Sequence, residues 1–511
     1  MKKIVSGMLL ALASCSLLAA CDYEQYRNRG YTHDPNCTCT CSCCEEARNG
    51  HKTTKGGSTT KDIDDIIEYL DLNELNNYSA NTYITVLSMN TELKEAFEAS
   101  YPEFKARINS YTSLLNDGTR ILWIYRNPDL DYFDYYAAAK VAIQNNLIDL
   151  FDYDYSIPLY ELINEDYIVD LESEGLDFSK QFYYAREAVR NKSGHQVGSA
   201  WTVNPGVVSY NDDIAKDIYG NNVSISTMKN KFYDFDTTGI DALTKGYSTF
   251  VSPSELFRMY MCQVNNTISD NTFTLDNRLF DYLIDARRYC DSGFFTGIGY
   301  EYYTWGYEWC NNFKKALYHY SCPWFAEYSL DEYTGHGYDE SYTSFKMFNP
   351  GSSYSSYWGG NWVSATTRIN RDETIKHYAL DIISKLTTDK DSLLAKKSYK
   401  LCPNNIDALN VLASSSYEFD DSYSFYKYYG GQNVYQVYKE ALNDFNHFNP
   451  GGYVYENIME NEFQMSFRKY FQYDSATSCI NEFSNMLLSH RNLDLYYDDN
   501  YVDIGETFEY I

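Results

Sequence analysis

Strand-like runs and helical patterns alternate through the first third of this chain, and that alternation leaves few architectures open to it. Residues 83–88 (Tyr-Ile-Thr-Val-Leu-Ser), a short β-branched run, and 121–125 (Ile-Leu-Trp-Ile-Tyr) have the character of strands. Between them, Asn90 or Thr91 can cap a helix whose inner face carries Leu93, Ala96 and Phe97, and Pro102 ends it. A second helical pattern at 132–145 leads into another apolar run at 147–151. Strand, helix, strand, helix in this order predicts an α/β fold with a largely parallel sheet.

The rest of the chain continues the pattern with interruptions. Asn204-Pro205-Gly206 is a turn signal before an extended run at 207–210, and Asp212 or Asp213 opens a short helix. Residues 279–289 read as an amphipathic helix broken by the 292–297 segment. The 335–357 stretch, rich in Tyr, Ser and Gly, reads as loop, and 362–367 as a short strand. Helices are expected at 373–386, at 434–445 after the Gly430-Gly431 turn, and at 460–470 and 475–488. The chain carries no internal repeat.

The first residues read as an address. Lys2 and Lys3 precede an apolar stretch from 4 to 18, and small residues then lead to Cys21. This is the layout of a secretory signal over 1–20, and the small residues before a cysteine resemble the bacterial lipobox, in which Cys21 carries lipid. Residues 21–80 are polar and read as a flexible tether. Within it stands Cys37-Thr-Cys39-Thr-Cys41-Ser-Cys43-Cys44, whose spacing lacks the paired C-x₂-C of structural zinc sites. Disulfides or a low-complexity spacer account for it better than a metal, and no metal or cofactor is expected. Six cysteines follow the tether, Cys262, Cys290, Cys310, Cys322, Cys402 and Cys479; an even number in an exported chain permits disulfides, with the pairing open.

Length and charge bound the rest. A single core stops growing near about 250–300 residues, so the remaining chain implies two domains. The formal net charge of −29 argues against nucleic acid, where affinity comes from Lys and Arg neutralising phosphates. It argues equally against adhesion to anionic lipid and leaves a neutral ligand as the natural partner.

Taken in order, several segments resemble the carbohydrate-binding components of ABC importers, the extracellular solute-binding proteins of family 1 (maltose-binding type). They are Val86-Leu-Ser-Met-Asn90-Thr-Glu92, Tyr101-Pro-Glu-Phe104, the acidic exit of the third strand at 148–155, the 198–216 stretch around Trp201 and Asn204, Trp358-Gly359-Gly360-Asn361-Trp362, and Gly430-Gly431-Gln432-Asn433. The resemblance spans most of 80–490. It implies a two-lobe fold of the class II periplasmic-binding type, each lobe a mixed, mostly parallel sheet flanked by helices, with the ligand in the cleft between them. The lobes are expected at 81–200 with about 355–415, and at about 201–354 with 416–511. The resemblance further implies a monomer on the outer face of the cell membrane, with ABC permease subunits as partners.

A sugar presents hydroxyls and apolar C–H faces, so its site calls for aromatic rings and fixed polar side chains. Asn90, Glu92 and Asp154 lie at carboxyl ends of predicted parallel strands, where open α/β sheets take ligands. Trp201 and Asn204 stand at the lobe crossing, Trp324 in Ser-Cys-Pro-Trp-Phe is the expected second-lobe platform, and Trp358 and Trp362 flank Gly359 and Gly360, where backbone can approach a ligand. Trp362 is equally suited to a core, and Gln432 and Asn433 to a turn. The chain lacks G-x-S-x-G, H-E-x-x-H, Walker and dinucleotide-binding motifs, and no carboxylate pair can be assigned as a glycosidase pair, so no enzyme is expected. An adhesive or structural surface lipoprotein, and a binder of a polyol or peptide, remain the alternatives.

Overall fold

The computed structural model describes residues 83–89, 91–125, 132–154, 158–261, 263–296, 315–325, 345–395, 401–417, 428–445, 458–467, 470–472 and 475–497, with the side chains of 132–136, 158, 160, 161, 460, 461 and 472 outside that description. The signal, Cys21, the tether with its cysteine run, Asn90, Cys262, Cys310 and part of the expected 335–357 loop therefore lie outside the described residues.

The first sheet has seven strands: β1 (Tyr83–Ser88), β2 (Phe104–Asn109), β3 (Thr112–Leu115), β4 (Arg120–Tyr125), β5 (Leu150–Tyr153), β6 (Ser199–Pro205) and β12 (Tyr357–Ala365), in the order β2-β3-β4-β1-β5-β12-β6. β1 pairs in parallel with β4 and β5, as the sequence rhythm predicts. All six residues of β1 are buried because helices cover both faces. Ile84 and Val86 face a core shared with helices Glu92–Ser100 and Glu373–Thr387, while Leu87 faces one shared with Tyr132–Gln144 and Val434–Asp444.

Two details depart from the expected elements. β5 starts at Leu150, because Asn146, at φ 60°, turns the chain out of the preceding helix and the Asp149 carboxylate, rather than the ladder, accepts from Thr85 N at 2.8 Å. β2 and β3 form an antiparallel edge hairpin where the sequence reading placed only the end of a helix; β2 is mostly exposed, so burial leaves little pattern in its composition.

A second sheet joins β7 (Val207–Asn211), β10 (Tyr318–Ser321) and β11 (Phe345–Phe348) in the order β10-β7-β11, all antiparallel, with isolated parallel bridges Ser248↔Ala316 and Phe250↔Phe295 beside it. Its core collects helices Pro253–Met261, Arg278–Asp291 and Ala476–Arg491 around Tyr318 and Tyr320. A small third sheet of β8 (Thr267–Ser269), β9 (Thr272–Thr274) and β13 (Asp494–Tyr496) lies beside this core.

Among the described residues the chain makes two strand-to-strand crossings between the large sheets. It leaves the first directly from β6 through Gly206 into β7, and it returns from β11 over 349–356 into β12. The two crossings lie side by side, tied by Gly206 N donating to Ser356 O at 2.8 Å and by pairing of Pro205 with Tyr357. β11 and the early start of β12 replace the end of the loop expected over 335–357.

Candidate functional site

β1, β4 and β5 run in parallel, and β6 runs with them because both β5 and β6 are antiparallel to β12. Their carboxyl ends therefore share one edge of the first sheet, the edge from which β6 crosses to the second sheet. The sequence-predicted polar residues converge here. Glu92 opens the helix after β1 and is half-buried, as is Asp154 directly after β5. Asn204 is buried near the end of β6. Thr91 holds the N-cap position without a side-chain bond.

The residue that organises this edge is one that sequence reasoning missed. Asp152, in β5, is 1% exposed, and its carboxylate accepts from Ser88 Oγ at 3.1 Å and from Trp201 Nε1 at 3.3 Å. Burial pushes its pKa up to about 7; the Ser88 and Trp201 bonds pull it down, and the charges of Glu92 and Asp154 add to the rise. The available signal was an acid inside an apolar strand run, which is rare without a purpose.

This placement corrects the reading of Trp201. Its ring is 2% exposed inside the first sheet's core and its indole N–H is committed to Asp152, so it positions the carboxylate instead of offering a stacking face. Trp362 is likewise core: it is fully buried, donates to Ala185 O at 2.9 Å and packs near Tyr153 and Tyr357. Gly359 and Gly360 serve strand pairing. Gly359 takes φ 79° at a bulge in β12, and a Cβ on Gly360 would lie 2.4 Å from Thr202 O. Gln432 is committed to Met347 of β11 through both ends of its amide, and Asn433 caps helix Val434–Asp444.

Trp324 and Trp358 are the remaining aromatic candidates, and Trp358 is itself 7% exposed within the second sheet's core. Trp324 follows β10, is half-buried, and packs against the cores on both faces of the first sheet as well as that of the second. It therefore stands where the two halves of the molecule meet. Its ring is edge-on to Trp358 at 6.0 Å. Trp358 stacks on Tyr320 at 5.9 Å and receives the Arg258 guanidinium over its face at 4.8 Å.

Arg258 lies on helix Pro253–Met261, whose start the sequence carries as a capping box, Ser252-Pro-Ser-Glu255. Glu255 accepts from Val251 N at 2.8 Å, Ser252 N at 3.2 Å and Tyr320 N at 3.1 Å, which fastens the helix to β10; burial nevertheless pushes its pKa up to about 8. The neighbouring His319 is fully buried, and burial alone pushes it down to about 3, so its imidazole stays neutral. Among the described residues Cys322 and Cys402 are buried thiols, no group of three or more His, Cys, Asp or Glu is placed to hold a metal ion, and no helix is long and apolar enough to cross a membrane.

Indole faces and carboxylate or amide acceptors at the junction of two sheets suit a ligand with apolar faces and hydroxyl donors.

Neither a protein-family model nor a curated protein sequence matches the chain. Solved structures do match it. It is similar to an extracellular solute-binding protein of family 1, at 14% identity and TM-score 0.58 over 80% of this chain and 100% of that one. It is similar to an ABC transporter associated binding protein from B. animalis subsp. lactis Bl-04, solved with β-1,6-galactobiose, at 13% identity and TM-score 0.56 over 81% of this chain and 99% of that one. It is also similar to maltose-bound MalE3 of T. maritima, at 13% identity and TM-score 0.53 over 79% of this chain and 98% of that one. The chain has the two-lobe α/β fold of the family 1 extracellular solute-binding proteins.

Proposed function

We propose that this protein is an extracytoplasmic solute-binding protein that captures a carbohydrate between its two lobes and delivers it to an ABC importer. The observation that carries the reading is the Trp324–Trp358 pair at the junction of two sheets joined by side-by-side crossings. The sugars held by structures of the same fold, β-1,6-galactobiose and maltose among them, support the ligand class. In this reading the first lobe comprises 81–200 with about 355–415, and the second about 201–354 with 416–511. Lipid on Cys21 holds the protein to the outer face of the membrane through the 21–80 tether, and the protein acts as a monomer on the permease subunits without catalysing a reaction. The acceptors Glu92, Asp154 and Asn204 would receive sugar hydroxyls, and Trp324 would stack on a ring face.

A thermal-shift screen of the protein against mono-, di- and oligosaccharides, polyols, peptides and amino acids tests this. A ligand that binds only the folded state raises the melting temperature according to RT ln(1 + [L]/Kd). One saccharide class should shift it, and Trp324→Ala should weaken that binding at least about tenfold, the scale of losing a stacked aromatic. A shift with peptides alone would remove the carbohydrate assignment, and silence across the panel would favour an adhesive surface protein.

A further inference from the structure

Tyr320 contacts Trp358, the returning crossing and the helix that carries Arg258, and its hydroxyl lies beside Gly206 of the outgoing crossing. Its ring stacks on Trp358, with planes 21° apart. Its hydroxyl donates to Tyr354 O at 2.6 Å and lies 2.7 Å from Ser356 Oγ, both in the returning crossing. Its backbone N–H donates to Glu255 Oε1, on the helix that carries Arg258. The same Ser356 accepts, through its carbonyl, from Gly206 N of the outgoing crossing. A Cβ on Gly206 would lie 2.4 Å from both the Tyr320 hydroxyl and Ser356 Oγ, so the outgoing backbone sits directly on this hydrogen-bonded pair.

We propose that Tyr320 is a positioning residue that clasps the two crossings together and couples them to the Trp358 ring, so that the orientation of the aromatic site and the angle between the lobes change as one. The assignment of Trp358 to a ligand site rests on the solute-binding reading; the clasp itself rests on the contacts above. The geometry is that of a hinge held by side-chain bonds. Without the phenol, backbone contacts alone would tie the crossings, through the Gly206–Ser356 bond and the Pro205–Tyr357 pairing. Here a buried phenol from the second sheet spans them, and its ring cannot tilt without moving either Trp358 or the bonds to Tyr354 and Ser356.

Tyr320→Phe keeps the ring and removes the clasp, and hydrogen exchange followed by mass spectrometry reads the result without any ligand. Peptides covering Gly206 and 355–357 should exchange faster by on the order of tenfold, the scale of one or two lost hydrogen bonds, while those covering β1 and β4 keep their wild-type rates. Ser356→Ala, which removes one of the two hydroxyl contacts, should give the same pattern to a smaller degree. Unchanged exchange at Gly206 in a folded Tyr320→Phe protein would overturn the clasp, and so would uniform acceleration across the molecule, which is the signature of packing alone. Either of those results leaves the solute-binding reading standing, whereas a silent saccharide panel would remove that reading and leave the clasp.

Discussion

Two aspartates near opposite ends of one strand are both buried, and the chain treats them in opposite ways. Asp149, just before β5, accepts from Thr85 N and Thr85 Oγ1 and is paired with Arg368 at 2.6 Å and with Arg371. Those partners draw β1, β5 and the 3₁₀ turn Thr367–Arg371 together, so the charge is used up in holding the sheet. Asp152, three residues on, meets a hydroxyl and an indole N–H, with Glu92 and Asp154 as its charged neighbours. A buried carboxylate compensated by cations is architecture; one held by neutral donors among other acids is costly to charge and lies at the edge where the strands end. The comparison separates the supporting edge of the sheet from the edge that faces the second lobe.

A series of Asp→Asn substitutions along this strand tests that separation. Asp149→Asn strands two largely buried guanidinium groups and should cost about 3–5 kcal/mol in urea unfolding, the usual penalty for removing one partner of a buried ion pair. A loss below about 1 kcal/mol would erase the contrast.

Asp152→Asn should act through pH. In the folded protein burial pushes the Asp152 pKa up to about 7, whereas the unfolded chain titrates near the ordinary value of about 3.9. Between those values the folded state keeps a proton that the unfolded state has lost, so this group's contribution to stability falls as pH rises and is gone above about 7. Asn cannot charge, and it should hold the variant above wild type by about 1–3 kcal/mol at pH 8, with the advantage vanishing near pH 4. The difference between the two proteins is the quantity to follow, since it cancels the opposite slope of His319, whose depressed pKa removes stability as pH falls below about 6.5. A pH-independent difference would show that Asp152 is not a buried, weakly compensated acid.

Asp154→Asn should be the smallest of the three. The side chain is half-buried beyond the strand, and its loss should change stability by less than about 0.5 kcal/mol while weakening saccharide binding. Full retention of binding would move the ligand acceptors elsewhere on the edge.

The contrast also explains what the sequence could and could not convey. β1 and β4 were legible as continuous apolar runs, and the helices Glu92–Ser100, Glu373–Thr387 and Ala476–Arg491 because burial of one face imposed a period on their residues. The β2–β3 hairpin was not, because its edge strand β2 is mostly exposed, and Gly359-Gly360 read as a place for close ligand approach although the chain uses them at a bulge within β12. For the site, sequence placed Glu92, Asp154, Asn204, Trp324 and Trp358 near strand ends and crossings, where the structure also has them. It put Trp201 in the cleft and left Trp362 open between core and cleft, because strands covered on both faces lack the polar alternation that reveals which way a side chain points. Asp152, Tyr320 and Arg258 passed unnoticed because their importance comes from contacts between segments that are distant in sequence.

Small-angle X-ray scattering of the protein, without and with a saturating concentration of the saccharide that raises its melting temperature, tests the central claim most directly. Capture between two lobes should reduce the radius of gyration through hinge closure, and Trp324→Ala should abolish the change at the same concentration. Saccharide binding with superimposable scattering curves in both states, and equally in Trp324→Ala, would place the ligand outside the junction and contradict the account.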